Sequence, residues 1–266
     1  MEIRDMLSGF KSTSGVLALF FCAVLSAPVA ARSEKGDEAR RQELHQYLKG
    51  RYLFQKHCTT CHGETGRGDG PWAADLKDKP RNFRVGVFKF RTTPFGKLPV
   101  EADVRRTIRS GISGTAMPFF KDFSDDDVGA LIVYLQNLSR KWDDEELKAE
   151  PIALAPRPEW YGDADAKKLR VKKGKALFAV NCVSCHGEKG KGDGPASVGL
   201  IDIWEHPIVP ADLSGPHHKS GDTPEDIFRT VATGLNGTPM IGFHDILDAE
   251  SIWDLVAYIQ SLPADD

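Results

Sequence analysis

Two stretches of this chain carry apolar residues at helical spacing, and they copy one another. Val128, Leu131, Ile132, Leu135 and Leu138 form one stripe. Ile252, Leu255, Val256, Ile259 and Leu262 repeat it at an offset of 124, and Tyr134 and Tyr258 coincide at the same offset. Ser124 with Asp127 three residues on reads as a capping-box start of the first helix, and the second starts near Asp248. Such stripes are core faces. An earlier helix is predicted from about Arg40 to His57, with Leu44, Tyr47, Leu48 and Phe54 on its buried face. Shorter helices are expected over residues 101–110 and 225–233. Every element so predicted is helical, and the expected fold class is all-α.

Glycine is unfavourable inside a helix by about 1 kcal/mol against alanine. Yet Gly50 and Gly174 each stand eight residues before a cysteine, inside predicted helices. Their recurrence predicts that another backbone approaches closely there.

The duplicated pattern brackets a duplicated motif. Cys58-Thr59-Thr60-Cys61-His62 and Cys182-Val183-Ser184-Cys185-His186 are both C-x-x-C-H, the attachment signature of c-type haem. On a helical turn, positions three and four apart share one side. Two thiols that add to the haem vinyl groups and an imidazole that binds its iron can then reach one macrocycle. A zinc site is the alternative for one copy, but it needs four ligands close together, and the copies lie 124 positions apart. Glycine-rich segments follow both motifs, residues 63–71 and 187–195. Neither has the Gly-Lys-Ser/Thr ending of a phosphate loop; a tight loop over a haem edge accounts for the glycines.

Beyond Met1 and Met6, the chain has only Met117 and Met240. They follow their motif histidines by 55 and 54 residues, each in Gly-Thr-x-Met before the last helix of its repeat. They are the expected second axial ligands, opposite His62 and His186. A thioether opposite imidazole raises the reduction potential and closes the iron to small reactants. His45, His57, His206, His217, His218 and His244 are weaker candidates, with His217-His218 read as a solvated loop. The middles of the repeats diverge, and Phe88–Gly96 and residues 201–207 and 216–219 are expected to be surface loops over the haem pockets.

Composition is ordinary for a globular protein, with 41% hydrophobic and 27% charged among 266 residues. Arg4, Lys11, the apolar run from Val16 to Leu25 and Val29-Ala30-Ala31 read as a signal peptide over residues 1–31, cleaved before Arg32. An uncleaved membrane anchor is the alternative, but the stretch is short for a span of about 20 residues. Residues 32–39 are expected to be irregular. Cleavage leaves four cysteines, all committed to haem, and export agrees with haem attachment outside the cytoplasm. The formal charge of −3 conceals +7 over residues 40–140, −5 over 141–166 and −4 over 167–266. Such polarity steers encounters with redox partners, or draws the two halves together. Nothing else points to nucleic acid.

These residues resemble the class I cytochrome c family, duplicated in one chain. The resemblance implies two tandem cytochrome c domains, residues 40–140 and 168–264, joined by a proline-bearing acidic linker over 141–167, each with one covalently bound haem. It implies haem attachment at Cys58, Cys61, Cys182 and Cys185, and axial ligation by His62, Met117, His186 and Met240. It also implies that Gly50 and Phe54 pack on Tyr134, and Gly174 and Phe178 on Tyr258. Pro71 and Pro195 match the family proline whose carbonyl orients the proximal imidazole. Met240 is followed by Ile241 where the family has proline. The expected function is a periplasmic dihaem electron carrier serving periplasmic or membrane redox proteins. The membrane itself is a partner only if the N-terminal segment stays attached. The alternatives are a dihaem enzyme, of the peroxidase or thiosulfate-oxidising kind, and a cytochrome subunit of a larger oxidoreductase.

Overall fold

The computed structural model describes residues 29–215 and 217–263. The expected signal peptide therefore lies outside the described residues, save for Val29–Ala31. The chain divides into two compact units, residues 1–41 and 42–266. Of the first, only the opening turns of one helix are described.

In chain order the helices are α1 (Val29–His57), α2 (Thr59–His62), α3 (Glu101–Ser110), α4 (Asp125–Asn137), α5 (Ala164–Asn181), α6 (Val183–His186), α7 (Pro224–Thr233) and α8 (Ala249–Ile259). Among the described residues the only β pairing is an antiparallel bridge between Ile201 and Pro207. The all-α expectation holds. Residues 32–39 are not irregular, however, but helical within α1. Glu34, Lys35, Glu38, Ala39 and Arg40 are good helix formers, and only Gly36 among their neighbours disfavours extension.

The capping signals act as read. Ser124 accepts a bond from Asp127 N at 3.1 Å while Asp127 accepts from Ser124 N at 2.9 Å. Asp248 accepts from Ser251 N at 2.7 Å at the start of α8. These bonds satisfy amides that a helix leaves without partners at its first turn.

Two hydrophobic cores result. In one, Phe54 of α1 meets Val104 and Ile108 of α3 and Val128, Leu131, Ile132, Tyr134 and Leu135 of α4. In the other, Phe178 of α5 meets Ile227 and Phe228 of α7 and Ile252, Leu255, Val256, Tyr258 and Ile259 of α8. Rings mark both crossings: Phe54–Tyr134 at 5.1 Å and Phe178–Tyr258 at 5.2 Å between centroids. A Cβ on Gly50 would collide with the carbonyl of Ala130, and one on Gly174 with that of Asp254. The close backbone approach expected of these glycines is thus present twice. Leu44 and Leu48 are not core residues: both are more than half exposed. Among the described apolar residues of α1, burial in whole or part falls on Tyr47, Leu53 and Phe54, beside Gly50, where α4 packs against it.

Residues 141–167 touch both cores. Trp142 packs on the first, and Ile152, Leu154, Trp160 and Tyr161 on the second. Backbone bonds Leu98 N→Leu147 O (2.8 Å) and Ile152 N→Thr92 O (2.9 Å) fasten it to the first repeat. Gly50→Ala and Gly174→Ala are each expected to destabilise by about 1–3 kcal/mol, near the top of that range because the obstacle is backbone. Denaturant unfolding measures it, and an unchanged midpoint would contradict this account of the crossing.

Candidate functional site

Both C-x-x-C-H motifs sit where a long helix stops and one further turn begins. Cys58 N donates to Phe54 O and His62 N to Cys58 O, each at 2.8 Å. Cys182 N donates to Phe178 O and His186 N to Cys182 O, again at 2.8 Å. The glycine segments then fold back identically. Gly68 N donates to His62 O (2.8 Å) and Gly70 N to Cys61 O (3.2 Å); Gly192 N donates to His186 O (2.9 Å) and Gly194 N to Cys185 O (3.2 Å). Gly68 and Gly192 both have φ of 77°, a region that favours glycine. A Cβ on either would strike the carbonyl of Pro80 or Pro210.

That packing brings a carbonyl to each histidine. His62 Nδ1 lies 3.0 Å from Arg81 O, and His186 Nδ1 lies 3.1 Å from Ala211 O. Nδ1–H donates, so Nε2 keeps its lone pair for a metal. Burial holds both imidazoles below the usual histidine range, favouring the neutral ligand form. The orienting carbonyls are therefore not those of Pro71 and Pro195. Both of those prolines are exposed, and Pro195 opens a short 3₁₀ turn, where its fixed φ and missing N–H suit the first position. The sequence parallel between Pro80-Arg81 and Pro210-Ala211 contained the signal, but the histidine-to-acceptor intervals of 19 and 25 residues concealed it.

The donor set fits a c-type haem. Burial pushes the Cys58 thiol up to about 12 and the Cys182 thiol up to about 11, so both sulfurs sit in poorly solvated surroundings. A thioether carries no charge and suits the same surroundings. Among the described residues, no cluster of three or more His, Cys, Asp or Glu is arranged to hold a metal ion directly.

Met117 and Met240 lie on loops of one design. Ile112 N donates to Met117 O (3.2 Å), and Met117 N donates to Thr115 Oγ1 (3.1 Å). Leu235 N donates to Met240 O (2.9 Å), and Met240 N to Thr238 Oγ1 (3.2 Å). Both methionines are half-buried. The Gly-Thr-x-Met repeat thus encodes a turn in which the threonine hydroxyl ties down the methionine amide.

The solvated-loop expectation holds for His217 but not for His218, whose side chain is 15% exposed with both ring nitrogens buried and without a hydrogen bond. His45, His57, His217 and His244 are exposed. His217 Nδ1 lies 3.0 Å from Asp222, and His218 N donates to Asp222 at 2.6 Å. Phe83 stacks on His62 at 4.6 Å, whereas the matching Leu213 gives His186 no such ring.

Phe88–Gly96 is not a surface loop. Arg91 is 1% exposed and Thr93 0%. The segment is anchored in its own repeat by Thr92, whose N and Oγ1 donate to buried Asp103, and by Thr93 Oγ1→Leu98 O at 2.7 Å. Arg91 then reaches the second repeat, donating to Thr233 O at 2.6 Å and Gly234 O at 3.1 Å. Gly96 N donates to Asn236 Oδ1 at 2.7 Å, and Asn236 Nδ2 donates back to Lys97 O at 2.8 Å. The Arg81 guanidinium lies 3.7 Å above the ring of Trp204. Lys89 pairs with Asp202 at 3.8 Å and Lys219 with Asp78. Part of the charge asymmetry is thus used between the repeats. Sequence reasoning missed Arg91, Asn236 and Trp204, since no periodicity or motif marks a contact across more than a hundred residues.

Comparison with known proteins agrees with this geometry. The Cytochrome c family model matches residues 171–263, and the model of cytochrome c oxidase, cbb3-type, subunit III matches residues 45–135. A cbb3-type cytochrome c oxidase subunit CcoP from Azospirillum brasilense is 25% identical over 80% of this chain and 61% of its own. A thiosulfate dehydrogenase from Psychrobacter arcticus is 24% identical over 79% of this chain and 56% of its own. The chain thus spans less than two thirds of the length of these curated relatives. Among solved structures, a chain of the Kuenenia stuttgartiensis reducing HAO-like protein complex is 32% identical, with a TM-score of 0.72, covering 81% of this chain and 96% of that one. Two such domains imply two covalently bound c-type haems. Replacing Cys58 and Cys61 together with alanine is expected to leave one covalent haem per chain, counted by haem stain and mass of the denatured polypeptide; two retained haems would reassign the attachment.

Proposed function

We propose, from the premise that this chain belongs to the cytochrome c family and carries two of its domains in tandem, that it is a periplasmic carrier passing single electrons between redox proteins. The observation that carries this reading is that the C-x-x-C-H and Gly-Thr-x-Met segments recur in both repeats on turns with matching hydrogen bonds. When bound, each haem supplies an iron that changes oxidation state by one electron. The chain's residues do the rest. Cys58, Cys61, Cys182 and Cys185 hold the macrocycles as thioethers. Arg81 O and Ala211 O fix the His62 and His186 rings and raise their basicity as ligands. Met117 and Met240 would hold each iron from the other side, which would raise the potential and leave no vacancy for a reactant.

A carrier role without bond chemistry is the reading that two irons filled by methionine at rest would support. A second reading, a subunit seated in a larger oxidoreductase, is favoured by the 96% coverage of a chain from a multi-protein redox complex. Copurification from the periplasm distinguishes the two. Among the described residues no helix is long and apolar enough to cross a membrane. Attachment would therefore fall to the N-terminal segment, and a mature chain beginning at Arg32 would show its removal.

Met117→Ala and Met240→Ala are each expected to remove about half of the methionine–iron charge-transfer absorption and to lower the midpoint potential of one haem only. Spectroscopic redox titration reads both. Wild-type protein that binds carbon monoxide at rest, or lacks the band, would defeat the closed-iron reading.

A further inference from the structure

The two methionine loops share their internal bonds but not their surroundings. The second is gripped by the first repeat. Arg91 donates to the last carbonyls of α7, at Thr233 and Gly234, where the loop begins. Asn236 within it exchanges two hydrogen bonds with Gly96 and Lys97. Gly237 lies against Trp204, whose ring would stand 2.8 Å from an added Cβ and also carries the Arg81 guanidinium at 3.7 Å. Thr233, Gly234 and Asn236 are all buried.

The first loop has none of this. Ser113 stands where the second repeat has Asn236, and an added Cβ at Gly114 would meet nothing within 4 Å. Phe119, two residues past Met117, is 61% exposed. Among the described residues, no hydrogen bond, ion pair or ring contact joins residues 111–117 to the second repeat.

We propose that Arg91 and Asn236 are positioning residues that lock the Met240 loop, so that two irons with the same ligands differ in how readily methionine leaves: Met240 is held and Met117 is exchangeable. This rests on the axial assignment above. A methionine can leave only if its loop swings away, and opening is easiest where few buried contacts must break. Opening the second loop also strips hydrogen bonds from a buried guanidinium and leaves carbonyls unpaired, which is costly. The first loop opens without any such loss. The first haem is thereby the one that an external ligand, or a partner able to shift the loop, can reach.

The test is titration of the oxidised full-length protein with imidazole, which forms an iron–nitrogen bond as the iron–sulfur bond breaks, with no change of oxidation state. Loss of the methionine–iron band is expected in two equal steps, separated by roughly tenfold or more in imidazole, the ratio that one retained charge-assisted hydrogen bond supports. Met117→Ala should delete the early step. Asn236→Ser, which installs the residue the first loop already uses, should move the late step toward the early one and leave the early one in place. Arg91→Lys, which keeps the charge but not the two-pronged donation, should move it in the same direction. General destabilisation would shift both steps together and would count against the proposal. So would a single step in the wild type, a late step belonging to Met117, or an unmoved late step in Asn236→Ser with native helix content and both haems. A band missing from the start would instead overturn the axial assignment, and this inference with it.

Discussion

The structure depends on two places where one helix backbone lies directly on another. At Gly50 on Ala130 and at Gly174 on Asp254 no side chain fits between them. That contact sets the angle and depth at which the haem-bearing helix enters each repeat. One turn further on, Phe54 and Phe178 fill the crossing against Tyr134 and Tyr258. The amides of Cys58 and Cys182 bond to those phenylalanines' carbonyls. The start of each C-x-x-C-H turn is therefore fixed by packing that begins eight residues earlier. A displaced crossing would move both thiols and the imidazole as one body.

Much of this was legible because it is local or duplicated. The α4 and α8 stripes, the Ser124 and Asp248 caps and the glycines at equal distance from each cysteine are statements about neighbours in sequence, and physics ties each to a conformation. Duplication supplied a control: Met117 and Met240 stood out because Gly-Thr-x-Met recurred after repeat middles that had drifted. What failed was long-range. The imidazole acceptors lie on loops of unequal length, so the match to the family proline fell on the exposed Pro71 and Pro195 and passed over Arg81 and Ala211. Leu44 and Leu48 had helical spacing but no helix opposite them, since periodicity reports a face and not what covers it. Arg91 read as one more surface cation, because no pattern in the chain shows two carbonyls more than 140 residues away.

Divergence between the repeats is concentrated where they meet. Phe88–Gly96 in the first repeat and residues 201–207 in the second have no counterparts in each other, and they supply most of the cross-repeat contacts. The haem motifs and methionine loops, by contrast, keep their hydrogen bonds to within a few tenths of an ångström.

That difference in surroundings extends to charge. An iron that gives up an electron gains a positive charge, and a cation in a poorly solvated place nearby opposes the gain. Arg81 orients His62 through its carbonyl, and burial holds its guanidinium down to about 10, with Asp202 acting against that fall. At the second site the same carbonyl role belongs to Ala211, which brings no charge at all. Phe83 shields one face of His62 where Leu213 stands in the other repeat. Matching histidines thus sit in unequal surroundings. In the proposed carrier that inequality would give an electron a preferred direction between the two sites, which two exact copies of one domain would lack.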